Sequence, residues 1–149
     1  MGLFDAIDVA GSGLSAERLR MDVTSENLAN AQTTKGADGQ PYRRKEVVLQ
    51  QAGAPGTFGS ALTAAMHRGG SSGVRGVQVA GIVEDGSALK RIYDPGHPDA
   101  DKNGYVTMPN VNTVTEMTDL ISSSRAYEAN VTAMQTAKQL FTKTLDILR

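Results

Sequence analysis

The sequence contains no cysteine. Disulfides, thiolate metal centres and thiol nucleophiles are therefore excluded together, and oxidising surroundings would do the chain no harm. Only two histidines occur, His67 and His97, and neither has a spaced partner that would make a metal site or a general base. Charge of one sign is also missing: 15 basic and 16 acidic residues give a formal net charge of -1 and a pI near 6.1. Neutralising several phosphates needs a basic footprint, so nucleic acid is not an expected partner. No apolar run approaches the roughly 18–20 residues that cross a bilayer, and the first positive charge is Arg18. Neither membrane insertion nor a cleavable secretory signal is expected, and these signals alone would place the chain in the cytosol.

What is present begins with a seven-residue stripe. Ile7, Leu14, Met21 and Leu28 recur at that spacing, with Leu3, Ala10 and Ala31 between, which predicts an amphipathic helix over the first 35 residues. It is expected to stop in NLANAQTTKG, where Asn27, Asn30 and Gly36 tolerate left-handed backbone. The other end repeats the pattern in Leu120, Tyr127, Met134, Phe141 and Leu148, with a second series of Met117, Val131 and Leu145. Thr113 followed by Glu116 reads as a capping box that starts this helix, which should run over 113–149 and reach about 55 Å at 1.5 Å per residue. Between the helices, Tyr42–Gln50, Val74–Glu84, Leu89–Tyr93 and Tyr105–Met108 carry the β-branched and aromatic residues of short strands. Residues 52–73 are dominated by Gly, Ala and Ser and predict a flexible loop.

The fold class expected is α+β: terminal helices (1–35 and 113–149) paired as an antiparallel coiled coil, with a small β-rich domain inserted over 36–112. The alternative packs each helix separately on the β domain. The surface of the last helix favours a third participant. It carries Thr115, Thr118, Thr132, Thr136, Thr142 and Thr144 where a solitary coiled coil would carry Glu, Lys and Arg. Threonine costs roughly 0.5 kcal/mol against alanine in a helix, and Gly11 and Gly13 together about 2 kcal/mol in the first one. Small uncharged residues suit helices pressed closely by neighbours, so the termini are expected to fold fully only on assembly.

Three motifs bear on chemistry. Asp99, Asp101, Asn103 and Gly104 fall at the first, third, fifth and sixth positions of an EF-hand loop, which makes a calcium-binding module the competing function. Against it stand Asn110 at the twelfth position, where a bidentate Glu belongs, and Pro95, Pro98 and Pro109 where helices should flank. A self-bonded turn, with Gly104 at positive φ, explains the same residues. Gly11-Ser12-Gly13-Leu14-Ser15-Ala16 nominally fits a dinucleotide fingerprint, but no β-α-β unit surrounds it, and close helix packing accounts for its glycines. Arg43-Arg44-Lys45 reads as an exposed strand edge. No catalytic, cofactor-binding or metal site is singled out, and no enzyme is expected.

SENLANAQTT after an amphipathic helix, PYRRK, YDPGHPDADKNGYVTMPNVN and SRAYEANV together resemble the flagellar axial proteins, the rod proteins of the bacterial basal body. NLAN is shared broadly in that family, whereas the turn motif Asp94, Pro95, Gly96, His97, Pro98, Asp99, Asp101, Asn103, Gly104 and Tyr105 is specific to one proximal-rod member. The resemblance spans the chain apart from the Gly/Ala-rich segment. It implies a structural subunit of the rod, the drive shaft that transmits torque and encloses the export channel, with no cofactor. It implies as partners copies of the chain, other proximal and distal rod subunits, the rod-to-membrane-ring adaptor and the flagellar type III export apparatus. It also implies a periplasmic location reached without a cleaved signal, in place of the cytosol. The turn motif would then serve as a shaped contact or hinge between the β domain and the last helix.

Overall fold

Both stripes form helices, and the β-branched segments between them form strands. The computed structural model describes residues 3–36, 38–53 and 75–147. His67, Leu148 and nearly all of the expected loop 52–73 lie outside them. Helix α1 spans Leu3–Ala29 and helix α2 spans Thr113–Ile147, with β1 Lys45–Gln51, β2 Val77–Glu84, β3 Lys90–Tyr93 and β4 Tyr105–Met108 between. The class is α+β.

The strands form two separate two-stranded sheets, β1 with β2 and β3 with β4. Asp85 N–H donates to Arg44 O at 2.7 Å at one end of the first pair and Ala52 N–H to Gly76 O at 2.8 Å at the other, so that pair is antiparallel. In the second, Lys90 faces Met108 and Tyr93 faces Tyr105, also antiparallel. β1 begins later than the expected Tyr42, because Arg44 N–H is taken by Asn110 Oδ1 at 2.9 Å instead of a strand partner.

Two helix ends differ from expectation for local reasons. α1 does not stop through a left-handed asparagine, since no described residue other than glycine has positive φ. Its end tightens through Ala31 N–H to Leu28 O at 3.3 Å and Thr33 N–H to Asn30 O at 3.0 Å, while Asn30 Nδ2 donates to Glu26 O at 2.9 Å. α2 is capped by Asn112, whose Oδ1 accepts Val114 N–H at 3.1 Å. Glu116 is not the second half of a capping box: its carboxylate turns inward, with the residue 1% exposed.

The chain divides into two compact units. One holds Met1–Glu17, Leu49–Ala80 and Arg125–Arg149; the other holds Arg18–Val48 and Gly81–Ser124. In the first, Ser12 organises the approach of β2 to α1. Its hydroxyl donates to Val9 O at 2.7 Å and accepts Val77 N–H at 3.0 Å, and a Cβ on Gly76 would fall on that hydroxyl. In the second, Val106 of β4 is 2% exposed and anchors the hairpin. Among the described residues the buried apolar side chains are Ala10, Ala16, Val23, Val106 and Ala137, three of them alanines. So little buried apolar volume leaves other forces to hold the subunit.

Candidate assembly surface

The least exposed positions of α2, Glu116, Ser123 and Ala137, share one seven-residue series with half-buried Asn130. On α1, Ala16, Val23 and Asn27 are buried. In the first unit the two helices approach closely. A Cβ on Gly13 would come within 2.9 Å of Asn130 Nδ2, and one on Gly11 within 3.8 Å of Met134 Cε, an antiparallel order. This is the close packing expected of the two glycines. Met117 and Leu145 of the second series are 53% and 51% exposed. Ile7, Leu14, Met21, Leu28, Leu120, Tyr127 and Met134 are half-buried, and Phe141 is exposed. Interaxial distance is set by the side chains at the contact, so glycine lets the backbones approach closely there.

In the second unit the buried groups include a polar constellation. Asn27, 1% exposed, exchanges two hydrogen bonds with the backbone of Lys45, as a neighbouring strand would. Lys45 N–H donates to Asn27 Oδ1 at 2.9 Å, and Asn27 Nδ2 donates to Lys45 O at 2.8 Å. Tyr42 Oη–H also donates to Oδ1 at 2.9 Å, and Nδ2 donates its second proton to Glu116 Oε2 at 3.0 Å. All four bonds an amide side chain can make are formed. The other oxygen of Glu116 accepts Arg44 Nε–H at 2.5 Å. Arg44 is also paired with Glu46 and lies 3.7 Å from Asp119, and the hydrogen bond it donates to Glu116 holds its guanidinium more firmly charged than usual. Burial, reinforced by Glu26, Glu116 and Glu84, pushes the Tyr42 phenol up to about 12. A polar cavity of about 240 Å³ opens beside these groups.

Local sequence reasoning missed this constellation. Asn27 resembled a helix stop, Glu116 a cap and Arg44 an exposed edge. The available signal was the 3-4-3-4 spacing of Gly13, Ala16, Arg20, Val23, Asn27 and Asn30, which traces the contact face in small and polar residues.

The turn motif links β3 to β4, and so is the loop of a hairpin, not a connection to the last helix. Asp101 organises it. Its Oδ1 accepts Asn103 N–H at 2.7 Å and Tyr105 N–H at 3.1 Å, while Oδ2 pairs with Arg91 at 3.0 Å. The amides of Tyr105 and Asn103 hold the Asp101 carboxyl below the usual carboxylate range. Gly104 has a φ of +78°, and a Cβ there would lie 2.9 Å from the Tyr93 ring. Asp99 instead accepts the Thr34 hydroxyl at 2.7 Å, and Asn110 bonds Arg44, Asp85 and Ser87. Asp99, Asp101 and Asn110 are thus each engaged by different partners.

Outward, α2 exposes Val114, Met117 and Ile121 in one unit and Leu140, Phe141 and Leu145 in the other. Its threonines add to this surface. The hydroxyls of Thr118, Thr132, Thr136 and Thr144 donate to carbonyls one turn back, at 2.8–2.9 Å. With their donors consumed, these residues offer a neighbour chiefly a methyl group.

Comparison with known proteins gives the family. A family profile described as flagella basal body rod protein matches residues 7–37, and one described as flagellar basal body rod FlgEFG protein C-terminal matches residues 102–147. A flagellar basal-body rod protein FlgC from Borreliella burgdorferi is 47% identical over 100% of this chain and 99% of its own. The chain belongs to the FlgC family of flagellar basal-body rod proteins. FlgC of Bacillus subtilis is 48% identical, covering 99% of both chains, and FlgC of Salmonella typhimurium 43%, covering 99% of this chain and 98% of its own. FlgC family membership makes this a structural subunit of the basal-body rod and not an enzyme, with assembly alongside other rod proteins as its role. Nothing in the FlgC relatives favours the calcium reading of the turn.

Proposed function

We propose that α1 and α2 form one antiparallel coiled coil, held together by Ile7, Leu14, Met21 and Leu28 on one helix against Leu120, Tyr127, Met134, Phe141 and Leu148 on the other. Its outer face packs against copies of the chain and against proximal and distal rod subunits. In this reading residues 1–35 and 113–149 make the helical wall of the shaft around the export channel, and 36–112 form the β-rich part with its loop at 52–73. Many modest helix contacts, summed around the tube, carry torque from the membrane-ring adaptor onward. The chain reaches the periplasmic rod unfolded, through the type III export apparatus and without cleavage, and its termini complete their folding on their neighbours.

The observation that carries this is the exposed apolar surface of α2, from Val114 to Leu145, beside buried apolar side chains that among the described residues are few and small. The test replaces Ile121 and Leu140 by Asp, one at a time. Each variant should keep the helical circular dichroism of the parent and fail to support motility or a complete rod. Normal swimming by both would remove the surface from assembly.

A further inference from the structure

Of the six asparagines in the chain, one is followed by glycine: Asn103-Gly104. In such a pair the glycine amide nitrogen reaches the asparagine side-chain carbonyl carbon with the least hindrance, because no Cβ crowds the approach. A bond forms between Gly104 N and Asn103 Cγ, closing a five-membered imide. The Cγ–NH2 bond breaks, and ammonia leaves with the amide proton. Water then opens the imide at either carbonyl, giving aspartate or isoaspartate, and no oxidant or reductant takes part.

The turn opposes the first of these steps. Gly104 N–H donates to Asp101 O at 2.9 Å, and Gly104 O accepts Asp94 N–H at 2.9 Å. Asn103 N–H is held by Asp101 Oδ1 at 2.7 Å. The Tyr93 ring lies against Gly104, and the register from Lys90↔Met108 to Tyr93↔Tyr105 closes the base of the loop. Attack by Gly104 N requires its N–H to leave Asp101 O, which loosens the turn. Asn103 itself is exposed, so water reaches the imide once it forms.

We infer that Asn103 is a latent modification site: the closed Asp94–Tyr105 turn suppresses imide formation, and opening of the β3–β4 hairpin permits it. The product acts back on the fold. Isoaspartate routes the backbone through the side chain, lengthens the loop by one carbon and displaces the N–H groups that Asp101 Oδ1 accepts. It also adds a negative charge beside Asp99 and Asp101. The modified turn does not close again.

The test incubates the full chain at mildly alkaline pH, native and in concentrated guanidinium, and follows conversion of the Asn103 peptide by mass spectrometry. The native rate should be about tenfold lower or less, the factor that about 1.4 kcal/mol of opening free energy supplies. Native Asp101→Ala, which removes the organising carboxylate, should approach the denatured rate. Tyr93→Ala, whose side chain is 64% exposed and packs on Gly104, serves where Asp101→Ala disturbs the helices, and should also raise the rate. Equal native and denatured rates, or no rise in either variant, would overturn the inference. The modified chain, separated by ion exchange, should lose hydrogen-exchange protection at Tyr105 N–H, and full retention would refute the effect on the turn.

Discussion

Replacing Glu116 by Gln changes one atom type in the polar constellation, and its cost can be worked from the contacts. The two carboxylate oxygens of Glu116 serve two donors, Asn27 Nδ2 at 3.0 Å and Arg44 Nε at 2.5 Å. Glutamine supplies one oxygen and one NH2 group, so whichever donor meets the NH2 is left facing another donor. An unsatisfied buried donor costs about 1–3 kcal/mol. Arg44 also loses its main counter-charge, and breaking a buried ion pair costs about 3–5 kcal/mol. That second figure must be reduced here, because the Arg44 side chain is 19% exposed and keeps Glu46 and Asp119. The two effects share one residue and do not simply add. A net loss of about 3 kcal/mol follows, a large part of the roughly 5–15 kcal/mol that holds a domain together. Chemical denaturation followed by circular dichroism measures it.

A double-mutant cycle separates the pair from the site. Arg44→Gln alone should cost about as much as Glu116→Gln, and the double variant far less than the sum, because the two vacated groups can bond each other. Strict additivity, or a loss below about 1 kcal/mol for Glu116→Gln, would mean that the constellation is incidental to stability. Within an assembled rod, neighbours that bind only the folded subunit would offset part of the loss. Motility of the Glu116→Gln strain should therefore fail on warming before it fails at low temperature.

Three further outcomes are expected. With the Tyr42 phenol pushed up to about 12 against an ordinary 10.0, the folded chain keeps a proton that the unfolded chain releases. Stability should fall as pH rises between those values, by about 1–2 kcal/mol after allowance for solvent screening, and Tyr42→Phe should lack this alkaline component in denaturation series. Gly76→Ala should cost about 1–3 kcal/mol, because the new methyl falls on Ser12, whereas Gly81→Ala, with nothing within 4 Å of the added carbon, should be near neutral; thermal melts compare them. The Ser123 hydroxyl is buried without a protein partner, so Ser123→Ala should be neutral or stabilising by up to about 1 kcal/mol, and a clear loss in urea titration would contradict that.

The sequence made the elements readable where one local rule governs them. Seven-residue stripes located both helices, β-branched runs located the strands, and the Asp101-x-Asn103-Gly104 spacing described a self-bonded turn whose glycine has positive φ. Large apolar residues define the stripe to the eye, whereas spacing alone does not show that Gly11 and Gly13 of α1 lie against Met134 and Asn130 of α2. The polar site was hidden for another reason. Asn27, Arg44 and Glu116 each satisfy a short-range pattern, and only the fold brings residues 27 and 116 within 3.0 Å of each other.

The small apolar core among the described residues and the presence of this constellation have one physical cause. Apolar burial is non-directional, so a subunit that kept a face of Val, Met, Ile and Leu for its neighbours could gain much the same burial by packing that face on itself. Hydrogen bonds and ion pairs discriminate, because their partners must meet at fixed distances and angles. Asn27 satisfies all four of its bonding positions in one arrangement of α1, β1 and α2 only, and a shift of one residue in β1 would place Lys45 N–H and O out of reach. Directional bonds thus fix which surface is inside, and Val114, Met117 and Ile121 stay outside on the same helix that delivers Glu116. Replacing Asn27 and Glu116 together by Leu should accordingly raise the apparent helix content and the tendency to self-associate while lowering the cooperativity of unfolding, since an apolar pair can be buried in several arrangements. A double variant that unfolds in one sharp transition as a monomer would show that the apolar contacts alone were enough to specify the fold.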